Sequence, residues 1–137
     1  MMWLLNNVGI DVKIILGENL KIYLTNKLIM KSDFCNSIET FTGAQSAINR
    51  LKIAAETGQN IPDVILFDLN MPEMNGWEFI EAFKKINFGK EIPTFIFTSS
   101  IDPNDKQRSF QYSEIKDFIT KPLTVQKLDK ILRLIDA

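Results

Sequence analysis

Three side chains of complementary chemistry each follow a short apolar run: Asp68 after "VILF", Thr98 after "TFIF", and Lys121 just past "IKDFI". A fourth, Glu18, stands two residues beyond "VKIIL". Taken singly, Asp68 reads as a solvated strand end, Thr98 as an ordinary hydroxyl closing a sheet, and Lys121 as a surface cation. Together they offer a carboxylate that is a usable nucleophile or metal ligand, a hydrogen-bonding hydroxyl and a mobile positive charge. The chain has no histidine, which excludes Ser/His and Cys/His catalysis and most zinc sites.

The elements that must carry these groups follow from hydrophobic periodicity. Runs at 12–16, 64–67, 94–97 and 115–119 are rich in β-branched and aromatic residues and read as strands, with a weaker one over 34–41. Helix-length stretches separate them. Leu20, Leu24 and Leu28 recur every fourth residue as one amphipathic stripe. Thr42 is expected as the N-cap of the next helix, with Ala44, Ala47, Ile48 and Leu51 inward and Gly58 as its stop. Ile80 and Phe83 share a face of a third helix, and Asp102-Pro103 opens a fourth. The last, from about Thr124, is expected to bury Val125, Leu128, Ile131, Leu132 and Ile135.

Five strands alternating with five helices imply βαβ crossovers and a parallel sheet covered on both faces. Uninterrupted apolar runs, rather than alternation, fit strands buried on both sides. In such a sheet ligands gather at the carboxyl ends of the strands, where Glu18, Asp68, Thr98 and Lys121 all fall.

At 137 residues the chain suits one domain, with residues 1–10 as an N-terminal extension. Lys and Arg (16) nearly balance Asp and Glu (17), so no basic field points to nucleic acid. The single cysteine, Cys35, reads as a small buried hydrophobe, rules out an internal disulfide and fits a reducing, cytoplasmic setting. "MMWLL" is too short for a signal peptide or membrane span. Trp3 and its neighbours are expected to pack on the domain or touch a partner.

"DVILFDLNMPEMNGWEF", "PTFIFTSS" and "DFITKPLT", in that order and spacing, resemble the receiver domain of bacterial two-component response regulators over roughly residues 10–137. The resemblance implies a flavodoxin-like doubly wound (βα)5 three-layer sandwich with a five-stranded parallel sheet, strand order 2-1-3-4-5. It implies that Asp68 accepts a phosphoryl group from a histidine kinase or phosphotransfer protein. Thr98 and Lys121 would bind phosphoryl oxygens. Mg2+ would be held by Asp68, the backbone carbonyl of Asn70 and a first-strand acid. Thr98 and Phe118 would act as the switch, and the Lys121–Pro122 bond would be cis. The output surface would span 102–136, presented to an effector protein by a monomer or weak homodimer that is not itself an enzyme. With no histidine, the chain is not its own histidine kinase.

The family places two adjacent acids after the first strand; here the pair is Gly17-Glu18. One lost carboxylate weakens a site whose affinity follows charge count, so Mg2+ is expected to bind weakly. The alternative is a phosphorylation-independent module that keeps the fold as a binding surface. A flavin or nucleotide binder would want a Gly- and Ser-rich phosphate loop where "LGENLK" stands. A phosphatase with an aspartyl intermediate would carry its nucleophile after the first strand, with a second Asp where Asn70 stands.

Overall fold

The computed structural model describes residues 2–6, 13–14, 37–71 and 73–136. Its strands are β1 (Met2–Asn6), β2 (Lys13–Ile14), β3 (Ser37–Phe41), β4 (Val64–Phe67), β5 (Thr94–Thr98) and β6 (Ile115–Thr120). Its helices are α1 (Ala44–Thr57), α2 (Gly76–Phe83), α3 (Pro103–Ser109) and α4 (Val125–Asp136). The six strands form one sheet in the order β2-β3-β1-β4-β5-β6.

β4 and β5 are buried at every position, as strands covered on both faces must be. Ile65, Phe67 and Ile96 share one apolar cluster with Ala47, Ile48 and Leu51 of α1 and Phe79, Ile80 and Phe83 of α2. Phe67 and Phe79 meet with ring centroids 5.0 Å apart. Val64, Leu66, Phe95 and Phe97 alternate with these and are equally buried, so the opposite face is covered too. Burial of each such side chain is worth about 1.5–3 kcal/mol, which makes β4 and β5 rigid bases for whatever follows them.

The alternating α/β class is the expected one, but the slot beside β4 holds a different strand. Residues 2–6, read as part of an extension, form β1 and lie antiparallel to both β3 and β4, with Met2 opposite Phe67 and Leu4 opposite Ile65. The expected first strand, 12–16, supplies β2, which pairs parallel with β3 at the sheet edge. The sequences explain the exchange. "MWLL" carries no charge and its Met2 and Leu4 are fully buried, whereas "VKIIL" includes Lys13, and burial penalises an ammonium. An edge strand tolerates lysine, which also discourages further pairing there. The other neighbours, β4 with β5 and β5 with β6, are parallel as expected.

Two smaller expectations also change. The residue preceding α1 is Gly43, with no side-chain cap, rather than Thr42. Val125 is 52% exposed, because it opens α4 ahead of the inward stripe of Leu128 and Ile131. Gly58 does stop α1, at φ 69° with its N–H on the Ala54 carbonyl, a left-handed position that glycine adopts without steric cost. The helix expected around Leu20, Leu24 and Leu28, together with Cys35, lies outside the described residues. Among those residues no helix is long and apolar enough to cross a membrane.

Candidate functional site

Parallel β4, β5 and β6 run out on one edge, and their exits bring Asp68, Thr98 and Lys121 together. Asp68 is only 6% exposed. Its Oδ1 accepts from the Thr98 hydroxyl at 2.8 Å and from the Asn70 N–H at 3.1 Å. Its Oδ2 accepts from Lys121 Nζ at 2.8 Å. The two oxygens are therefore unequally loaded: Oδ1 accepts from two donors, Oδ2 from the lysine.

Burial pulls the Asp68 carboxyl upward, as desolvation does for any acid. The Lys121 hydrogen bond, the Asn70 N–H, the Thr98 hydroxyl and the Lys121 charge together outweigh it, so the carboxyl sits below its ordinary value. Asp68 is thus ionised throughout the neutral range. Charge-assisted bonds of this kind are about twice as strong as neutral ones, so the trio is mutually held and not a chance meeting of surface groups.

Local structure fixes each member. Asn75 caps α2: its side chain accepts from the Glu78 N–H at 2.9 Å, and Glu78 accepts from the Asn75 N–H at 3.2 Å, a reciprocal capping box. Gly76 then lets the helix start press on the site loop. A Cβ there would stand 2.7 Å from the Leu69 Cα and 2.8 Å from the Asp68 carbonyl. The Gly76 N–H also binds the Leu69 carbonyl at 2.9 Å. Met71 is buried and Met74 packs on the core, so both serve the turn.

Thr98 is buried and also accepts the Ser100 N–H at 3.3 Å. Ser100 passes the connection on, its hydroxyl donating to Asp105 of α3 at 2.6 Å. Asp102 caps α3 through the Asn104 N–H at 2.9 Å, and Pro103 is its first residue. Lys121 is anchored by its own N–H on the Thr98 carbonyl at 2.8 Å, and the Lys121–Pro122 bond is cis. Phe118, opposite Ile96 in the register, is partly buried against the main cluster.

Of the residues expected at the site, Asp68, Asn70, Thr98, Lys121 and Pro122 stand together or adjacent, and Phe118 lies one sheet step away. Glu18 lies outside the described residues. Sequence reasoning missed Gly76 and the capping box, whose N-x-x-E spacing over Asn75–Glu78 is a legible helix-start signal. It also missed Ser100, for which no sequence signal exists.

Within the described residues the expected magnesium site is incomplete, since Glu18 lies outside them. They hold no group of three or more metal-ligating side chains, and both Asp68 oxygens are engaged. A magnesium ion asks for a near-octahedral oxygen shell. At the β4 edge, β1 contributes Met2 rather than an acid.

Comparison with known proteins agrees with this geometry. The family described as response regulator receiver domain matches residues 14–133. Two-component response regulator ORR1 of Oryza sativa subsp. indica is 31% identical over 110 residues, covering 76% of this chain and 47% of its own. Sensor histidine kinase CheAY of Helicobacter pylori is 33% identical over 78 residues, 57% of this chain and 10% of that protein. The chain thus spans half or less of the length of these two relatives. Among solved structures, a response regulator receiver protein from Dyadobacter fermentans superposes with TM-score 0.73 at 31% identity, over 90% of this chain and 95% of that one. A two component response regulator from Cytophaga hutchinsonii gives 0.74 at 24% identity, over 95% and 98%.

Proposed function

The chain belongs to the response regulator receiver domain family of two-component signalling, and we propose that Asp68 is the residue through which it receives a phosphoryl group. The observation that carries the reading is the convergence of Thr98 and Lys121 on one buried, ionised carboxylate. The donor is a phosphohistidine of a histidine kinase or phosphotransfer protein, the partners with which receiver domains interact. Oδ2, the less loaded oxygen, attacks phosphorus. The P–O bond forms as the P–N bond to the donor imidazole breaks, and the imidazole nitrogen takes a proton from solvent.

Lys121 then moves its ammonium from the carboxylate to a phosphoryl oxygen, and Thr98 turns its hydroxyl to another. Both act as charge-matched donors already in place, which is how positioned groups stabilise a transferring phosphoryl. Thr98's departure from Asp68 loosens its link through Ser100 to Asp105. Together with Phe118, it thereby shifts the surface of residues 102–136, presented to an effector protein. Divalent metal binding is weak and depends on Glu18; Glu18→Gln lowers Mg2+ affinity measured by calorimetry, and unchanged affinity places the metal elsewhere.

The test is incubation with a small phosphodonor such as acetyl phosphate. A base-labile mass gain of one phosphoryl is expected in wild type and none in Asp68→Asn; a gain that survives the substitution overturns the assignment. Gly17-Glu18, in place of two adjacent acids, favours one other reading, a binding module that works without phosphorylation. No gain in wild type at generous magnesium would support that reading.

A further inference from the structure

β6 ends at Thr120, so Lys121 is carried by the first residues of a turn and not by the sheet itself. Lysine is a point charge on a flexible four-carbon stem; where its ammonium dwells depends on how firmly its backbone is held. One side of that backbone is tied to β5, through the Lys121 N–H on the Thr98 carbonyl at 2.8 Å. The other side is held by a second lysine. Lys127, in the first turn of α4, sends its ammonium back onto the Thr120 carbonyl at 2.5 Å and the Pro122 carbonyl at 2.9 Å. These two carbonyls flank Lys121.

Lys127 is itself fixed at its root. Its N–H donates to the Thr124 hydroxyl at 3.2 Å, and the Leu128 N–H donates to the Thr124 carbonyl at 3.0 Å. Leu128 and Ile131 are buried, and Lys130 pairs with Asp117 of β6 at 2.8 Å. The start of α4 is thus a stationary platform, and Lys127 transmits its position to the turn. Two carbonyls shared by one ammonium define a clamp across the Lys121–Pro122 unit. Burial of the stem alone would leave those carbonyls to water.

The geometry points to Lys127 as a positioning residue for phosphoryl transfer: it clamps the Thr120 and Pro122 carbonyls so that the Lys121 ammonium meets Asp68 Oδ2. Lys127 touches neither Asp68 nor the incoming phosphoryl and acts only through Lys121. The inference rests on the reading of Asp68 as phosphoacceptor, and it reaches past that reading to a residue outside the convergent trio.

Lys127→Met keeps the stem and removes the ammonium; Lys127→Arg restores a cation able to reach both carbonyls. Phosphorylation by acetyl phosphate is expected to slow roughly tenfold in Lys127→Met, since small misplacements of a transferring group's partners are costly, and to recover in Lys127→Arg. In a Lys121→Met background the further change Lys127→Met is expected to have no effect on rate, the signature of two residues acting as one unit. An independent reading is the Lys121 ammonium resonance by nitrogen-15 NMR, assigned by its loss in Lys121→Met. It is expected to be sharp in wild type and Lys127→Arg, and broadened in Lys127→Met.

A Lys127→Met protein with wild-type rate and a sharp Lys121 resonance overturns the inference. So does an equal loss of rate in the Lys121→Met background, which would assign Lys127 to fold stability alone. If wild type takes no phosphoryl at all, the reading of Asp68 fails separately, and the resonance still decides whether Lys127 positions Lys121.

Discussion

The two halves of the sheet were specified in different ways. In β4–β6 each strand leads to a residue with its own chemistry, and the neighbours and exits are those expected from the sequence. In β1–β3 two apolar segments compete for one central slot, and the order of strands departs from expectation. A central slot that buries side chains as fully as Met2 and Leu4 selects for the absence of charge more than for position along the chain. "MWLL" meets that demand and "VKIIL", with Lys13, does not. Wherever one short uncharged run is as good as another, periodicity identifies strands without deciding which of them neighbours which.

The largest effects should be the same in both halves if β1 is a true core strand. Phe95→Ala, in the expected half, removes a fully buried ring and should cost about 3–5 kcal/mol. Leu4→Ala, in the unexpected half, removes a fully buried side chain set opposite Ile65 and should cost about 2–5 kcal/mol. Urea unfolding of both variants checks the pair. A Leu4→Ala protein as stable as wild type would break the equivalence and put the N-terminal segment outside the core.

Gly76→Ala should come next. Its methyl group meets the Leu69 Cα and the Asp68 carbonyl, backbone atoms that cannot rotate aside, and overpacking of this kind costs about 1–3 kcal/mol. The displacement falls on the site loop, so uptake of phosphoryl should fall along with the midpoint. A change in stability alone would mean that the loop yields without moving Asp68.

Smaller still is Arg50→Met. Arg50 grips Glu39 of β3 with two bonds, of 3.0 and 2.7 Å, and ties α1 to the unexpected half of the sheet. The pair is only partly buried, so the loss should be about 1 kcal/mol or less and should shrink in high salt.

The slightest difference should be one of pH. The folded Asp68 carboxyl is held below its unfolded value, so its contribution is present above the unfolded value and lost as pH falls through the folded one. Lys121→Met removes the principal cause of the lowering and should raise the carboxyl's titration midpoint. The variant should then lose its acid-side stability at a higher pH than wild type does. Midpoints of thermal unfolding across an acid series would show the shift, and coincident profiles would deny Lys121 its role.

Much of the site was legible because its chemistry is tied to strand ends. "VILF" can be buried only as a central strand, so Asp68 must emerge at its carboxyl end, and the same logic delivers Thr98 and Lys121. Asp102-Pro103 announced α3, and Gly58 announced the end of α1. What escaped notice depends on contacts between segments distant in sequence or on side chains with several possible roles. Gly76 looks like any turn glycine until the helix is seen pressing on Leu69. Lys127 looks like one more solvated cation on α4 until its ammonium is seen on two carbonyls of the preceding turn. Val125 was misjudged because an apolar residue at a helix start can precede the inward stripe.

The central claim is that Asp68, Thr98 and Lys121 form a working phosphoryl site despite Gly17-Glu18. Its most direct test is a pair of melting curves, wild type and Asp68→Asn, with magnesium and beryllium fluoride, which mimics an aspartyl phosphate. Binding to the folded state raises the melting temperature by mass action. The account expects a clear rise in wild type that disappears in Asp68→Asn. No rise in wild type, or the same rise in both proteins, would contradict it.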